Sequence, residues 1–200
     1  MTGAEIWADA LRATLLFAAD PFRFGGIVLR AGAGPVRDRW LRLLQGSLPA
    51  DSRLRRMPPH VADDQLLGSV DLAATLERGR PVHRPGLLAE VGGGVLLLSM
   101  AERILPAAAA RVCAALERCR FGVVALDEGI APDERPPAGL LDRLAFHLDL
   151  GGVALRDTEG CVSRLLRCPD GLPVPGHRAL QALCGAATAR RTRTYVTIAC

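Results

Sequence analysis

A glycine-bearing turn followed by arginine and aspartate is the part of this chain best suited to chemistry. Residues Gly25–Leu48 read GGIVLRAGAGPVRDRWLRLLQGSL. Ile27-Val28-Leu29 predicts a short buried strand, Gly32-Ala33-Gly34 a turn, and Asp38 to about Leu44 an amphipathic helix. Strand, glycine turn and helix in that order make the layout of a phosphate-binding loop. A working loop closes with Gly-Lys-Ser/Thr, so that backbone N–H groups and a lysine hold phosphate and a hydroxyl meets Mg²⁺. Here the stretch is Gly34-Pro35-Val36-Arg37-Asp38. Pro35 has no N–H to donate, and β-branched Val36 resists a positive φ. Asp38 carries negative charge where a hydroxyl should face phosphate. Two readings stay open on this stretch alone: an eroded nucleotide loop and an ordinary strand–turn–helix.

Other reactive residue types are scattered. Six cysteines, at 113, 119, 161, 168, 184 and 200, include no C-x-x-C pair, and the four histidines are dispersed. No zinc spacing results and no metal site is expected. His83 and His147 lack ligand spacing, and His147 in Ala-Phe-His-Leu-Asp suits a solvent-facing position on an edge strand. Gly92-Gly93-Gly94 reads as an entry turn before a buried strand rather than a phosphate nest. Arg53-Leu54-Arg55-Arg56 reads as a surface turn before Pro58-Pro59 rather than a nucleic-acid contact.

Composition agrees. Half of the 200 residues are hydrophobic, enough for a sizeable core, and only 4% are aromatic, so that core is aliphatic. Two hundred residues fit one domain, or one domain and part of another. The net charge of +4 comes without a block of five like charges, so no nucleic-acid partner is expected. Glu5, Asp9 and Asp20 argue against a signal peptide. No apolar run approaches about 18 residues, so no membrane insertion is expected. A cytoplasmic protein with reduced thiols is the expectation.

The elements that must position these groups follow from periodicity. Ile6–Ala18 has helical spacing and ends at Asp20-Pro21. Residues 50–64 read as a long polar loop, of a length that usually marks function or an interaction surface. Asp71 is placed to cap a short helix that Gly79 terminates. Pro81–Gly86 reads as a turn and Leu87–Glu90 as helical. Val95–Leu98, Phe121–Leu126 and Ala145–Leu150 read as strands, separated by the alanine-rich helix Leu105–Glu117 and a helical turn at Leu140–Leu144. Strands alternating with helices predict an α/β fold with a mostly parallel sheet flanked by helices. Such sheets bind ligands beyond the carboxyl ends of their strands.

The stretch from Met57-Pro58-Pro59 through Asp63-Asp64, Gly68, Asp71 and Gly79 to His83-Arg84-Pro85-Gly86-Leu87-Leu88-Ala89 and Gly94-Val95-Leu96-Leu97-Leu98 resembles the AAA+ module of magnesium chelatase. Ala18-Ala19-Asp20-Pro21 with Gly25-Gly26-Ile27 matches the opening of that module. Phe121-Gly122-Val123-Val124 and Leu140-Leu141-Asp142-Arg143 match its later strand and its LLDR motif. The resemblance spans about residues 6–155. It implies an AAA+ P-loop-type core over 1–155, and a partial helical lid or tail over 156–200. A longer whole chain with a linker and a metal-binding domain is also implied. The tail RRTRTYVTIAC does not match the family's lid.

Against the family's ATPase subunit, the resemblance puts Arg37 near the lysine slot and Asp38 in the hydroxyl slot. Ser99 and Met100 stand in place of the Asp-Glu that supports Mg²⁺ and activates water, and Glu128 in place of an asparagine. Gly32, Gly34 and Arg37 are then a vestigial phosphate loop. Arg143 is the candidate arginine finger, acting in trans on a neighbour's site. This pattern resembles the D-type subunits of the family. It implies a non-hydrolysing subunit, to which no cofactor is assigned, in a ring with the ATPase (I) subunit, which uses ATP and Mg²⁺. The porphyrin-binding (H) subunit would complete the machine, for insertion of Mg²⁺ into protoporphyrin IX in (bacterio)chlorophyll biosynthesis. The hairpin region around Pro81–Gly86 would face the ring partner or the porphyrin-binding subunit. Two alternatives remain: a structural or regulatory adaptor, and a weak independent NTPase using Arg37 in place of lysine.

Overall fold

In the computed structural model, residues 1–159 and the backbone of Val196–Thr197 are described. Cys161, Cys168, Cys184, Cys200 and nearly all of the expected lid or tail lie outside the described residues.

Helix α1 (Gly3–Ala19) begins in a reciprocal cap: the Thr2 hydroxyl accepts from the Glu5 N–H, and the Glu5 carboxylate accepts from the Thr2 N–H. Asp20 and Pro21 end it and start the single turn α2 (Pro21–Phe24). Strand β1 (Gly26–Arg30) leads through the glycine turn into α3 (Pro35–Ser47). That helix starts earlier than the predicted Asp38, because proline at the first helical position needs no N–H partner.

Next come β2 (Leu54–Met57), α4 (Asp63–Leu67), β3 (Gly68–Val70), α5 (Leu72–Arg78), β4 (His83–Pro85) and α6 (Leu87–Glu90). Asp71 caps α5 through the Ala74 N–H, and Gly79 closes it at φ 62°. Strand β5 (Val95–Leu98) runs into a 3-10 turn at Ala101–Arg103. It is followed by α7 (Pro106–Arg118), β6 (Gly122–Asp127), α8 (Ala138–Leu141), β7 (Phe146–Asp149) and a 3-10 turn at Leu155–Thr158. The backbone of Val196–Thr197 adds β8 beside β7.

The main sheet is six-stranded and parallel throughout, in the order β2-β5-β6-β1-β7-β8. Strands β3 and β4 form a separate antiparallel pair enclosing α5. The period-2 alternation of strand side chains divides the interior in two. Ile27, Leu29, Val95, Leu97, Val124 and Leu126 face α1 and α3. Val28, Leu96, Leu98, Val123 and Ala125 face α7 and the short helices.

The buried Trp40 locks α3 to α1. Its indole N–H donates to the Thr14 hydroxyl at 2.9 Å, and that hydroxyl donates to the Ala10 carbonyl at 2.7 Å. Thr14→Val keeps the shape and leaves the indole N–H without an acceptor. It should destabilise the fold by about 1–3 kcal/mol, read as a lower denaturant midpoint.

Three sequence expectations change. Residues 50–64 are not all loop, because Leu54–Met57 pairs with β5 at the sheet edge. Its Arg55 and Arg56 are exposed, so it lacks the apolar run of an inner strand. Pro81–Gly86 is not merely a turn, since His83–Pro85 returns along β3. His147 is not on an edge: β7 lies between β1 and β8, and the half-buried ring places Nε2 3.2 Å from both the Leu141 and Leu144 carbonyls. The last described turn, Leu155–Thr158, ends in the buried Thr158.

Candidate functional site

Strands β1, β5 and β6 are parallel and adjacent, so Arg30, Ser99 and Asp127-Glu128 share the carboxyl rim of the sheet. The vestigial loop crosses this rim. Ala31 N–H donates to the Asp127 carbonyl at 3.0 Å, and Gly32 and Gly34 follow. Gly34 is extended at φ 161°. A Cβ at Gly32 or Gly34 would meet nothing within 4 Å. Neither glycine is required by a left-handed turn or a close approach, unlike those that cradle phosphate.

Arg37 and Glu128 are brought together. Arg37 projects from the first turn of α3 with its side chain 14% exposed, and its Nη1 lies 2.8 Å from Glu128 Oε1. Nε and Nη1 are enclosed, yet neither makes a well-aligned hydrogen bond. The ion pair is close but off-axis. Asp38 is 3.8 Å from Arg37 Nε with its carboxylate mostly in solvent. Ser99 donates its N–H to the Met57 carbonyl, while its hydroxyl is enclosed without a partner. Met100 is left-handed at φ 47°, ψ 56°, a conformation costing a side-chain-bearing residue roughly 1–2 kcal/mol.

Several rim residues escaped the sequence reading. Buried Asp127 pairs with Arg30 Nη1 at 3.1 Å and with Arg135 Nη1 at 3.5 Å, and accepts from the Gly129 N–H. Arg30 also donates to the Ala131 and Glu134 carbonyls, tying down residues 129–134. The N–H groups of Ile130 and Ala131 both donate to Glu134 and hold its carboxyl below the usual carboxylate range. Glu102, its side chain 5% exposed, accepts from the Glu128 N–H at 2.9 Å and lies 3.6 Å from Arg103 Nε. One signal existed: apolar runs ending in Arg30 and Asp127 turn out to be register partners.

ATP and Mg²⁺, which the fold implies at this rim, do not fit the residues present. Arg37 is already opposed by a carboxylate. Asp38 adds negative charge at the helix start, and neither Ser99 nor Met100 has a carboxylate to support a cation.

Arg143 lies at the opposite end of the sheet. Gly25, just before β1, has φ +70° and no room for a Cβ against the Arg143 carbonyl. Ala145 N–H donates to the Phe24 carbonyl at 3.1 Å. The five residues of β1 span roughly 16 Å at the usual strand rise, and they separate Arg143 from its own loop. All three guanidinium nitrogens are engaged. Nη2 and Nε reach Glu117 Oε1 at 2.8 and 3.3 Å, and Nη1 reaches the Gly139 carbonyl at 2.9 Å. The Glu117 bond strengthens the guanidinium's hold on its proton. Burial pushes the nearby Cys113 thiol up, partly opposed by Arg143. An open cleft of about 370 Å³ beside Arg143 is lined by Phe22, Phe24, Leu116, Glu117 and Asp142, among others.

No protein-family model matches the chain. It is 47% identical over 153 residues to the magnesium-chelatase 60 kDa subunit of Cereibacter sphaeroides, covering 76% of this chain and 26% of that protein. It is 40% identical over 148 residues to the 60 kDa subunit of Rhodobacter capsulatus, covering 74% and 26%. The chain therefore spans about a quarter of the length of these relatives. Among solved structures, a cryo-EM-based complex of magnesium chelatase subunits BchI and BchD superposes with a TM-score of 0.57 at 17% identity, covering 88% of this chain and 67% of that one. NtrX of Brucella abortus superposes at 0.52 and 13% identity, covering 71% and 35%. No helix among the described residues is long and apolar enough to cross a membrane. By sequence the chain is a relative of the magnesium chelatase D subunits, and its described residues have an α/β AAA+ fold.

Proposed function

We propose that this chain is the AAA+ part of a non-hydrolysing magnesium chelatase subunit. It assembles in a ring with the ATPase (I) subunit, acts in the cytoplasm, and works with the porphyrin-binding (H) subunit. ATP and Mg²⁺ bound by the I subunit drive insertion of Mg²⁺ into protoporphyrin IX for (bacterio)chlorophyll biosynthesis. The observation that carries this reading is the placement of Arg143 at the end of the sheet away from its own loop. An arginine there is away from its own loop, a position that supports a role in a neighbour's site. The weak-NTPase reading loses ground because Arg37 faces Glu128. The adaptor reading keeps one observation in its favour: Glu117 and Gly139 engage every nitrogen of Arg143.

The test is reconstitution. The full-length subunit, mixed with the I and H subunits, ATP, Mg²⁺ and protoporphyrin IX, should give Mg-porphyrin fluorescence. The mixture lacking it should be silent, and the subunit alone should release no phosphate from ATP. Equal chelation with and without it would remove it from the machine.

A further inference from the structure

The mismatch between the rim and a nucleotide has a positive content. An eroded site could simply have lost its ligands and stand open. This one has gained an internal anion. The carboxylate of Glu128 lies 2.8 Å from the guanidinium of Arg37, the residue nearest to where a loop lysine would meet phosphate. Glu128 is itself held: its N–H donates to the buried carboxylate of Glu102, and the preceding Asp127 is gripped by Arg30 and Arg135. The loop beyond is tied down by Arg30 and Glu134. So the carboxylate comes from a braced segment rather than a free side chain, and Arg37 is 14% exposed, beyond the easy reach of solvent ions.

We propose that Glu128 is a built-in anionic ligand for Arg37, closing the remnant pocket against phosphate with the chain's own carboxylate. The site is self-occupied rather than vacant, and its competitor class is phosphate-bearing anions: pyrophosphate and nucleoside phosphates. Any such anion must displace Glu128 and leave that carboxylate beside its own charge. The wild-type pocket therefore excludes phosphate by repulsion as well as by occupancy. The inference needs only this chain and is independent of the proposed role in chelation.

The test is calorimetric titration of pyrophosphate and of Mg²⁺-free ATP into the full-length protein. Wild type should show no binding at millimolar ligand. Glu128→Ala should gain binding, tightening by at least about tenfold as a charge-assisted contact to Arg37 becomes available. Arg37→Ala in that background should remove the gain. Glu128→Gln, close in size, serves if the alanine variant unfolds; its melting temperature should rise with pyrophosphate while that of wild type does not. A folded variant that gains no anion binding would overturn the proposal. So would wild type binding pyrophosphate as tightly as the variants, or a gain that survives loss of Arg37.

Discussion

Arg143→Ala should collapse the ATPase rate that the full-length subunit adds to the I subunit, while the mixed complex stays assembled. An arginine finger contributes on the order of 10³–10⁵ in rate by stabilising charge that develops in the transition state. A fall of at least about a hundredfold in that increment is expected. The side chain is free to act this way only if Glu117 releases it. That pair is exposed on both sides, 40% for Arg143 and 62% for Glu117, and exposed pairs hold weakly, at about 0–1 kcal/mol. A neighbour's triphosphate, with more charge and less water around it, outcompetes one solvated carboxylate. Steady-state phosphate release, with assembly followed by gel filtration, reads the outcome. An unchanged rate in an intact complex would make this module a scaffold and Arg143 a local pairing residue.

Trp40→Ala should cost about 3–5 kcal/mol of folding stability, a large share of the roughly 5–15 kcal/mol available to a domain. The indole is fully buried among Phe17, Ile27, Leu44 and other apolar side chains. Removing it opens a cavity and takes away the N–H that the Thr14 hydroxyl accepted, leaving that hydroxyl only its bond to the Ala10 carbonyl. Helix α3 also carries Arg37, so loosening its seat should weaken the contact with Glu128. Denaturant unfolding should show a lower midpoint with an unchanged slope. Trp40→Phe should recover part of the loss, because it refills much of the space while giving up the hydrogen bond and the rest of the indole volume. Equal melting of the alanine variant and wild type would mean that α3 is held elsewhere.

What could be read from the chain was local. Ile27-Val28-Leu29 announces a strand because both of its faces are covered. Asp71 and Gly79 announce the ends of a helix because capping chemistry is short-ranged. Arg37 could be assigned a slot, yet nothing in its neighbourhood names Glu128, which arrives from another strand. Arg30 meets Asp127 across 97 positions, and Arg143 meets Glu117 across 26. Periodicity reports which face of an element is buried and is silent on which rim side chains confront each other. The arginines of β2 misled for a related reason: a strand with one neighbour need not be apolar throughout.

That edge strand has a further consequence. Beside β2 the parallel sheet has no other described neighbour, so its outer backbone groups are a template for strand addition by another chain. Two consecutive guanidinium side chains, Arg55 and Arg56, stand on this strand, with only Arg55 near a counter-charge, Glu90 at 3.5 Å. A second copy docking edge to edge would place like charges against like and strip them of water. Charged residues at such an edge are the kind of gatekeeper that disfavours sheet-to-sheet stacking of an aliphatic chain.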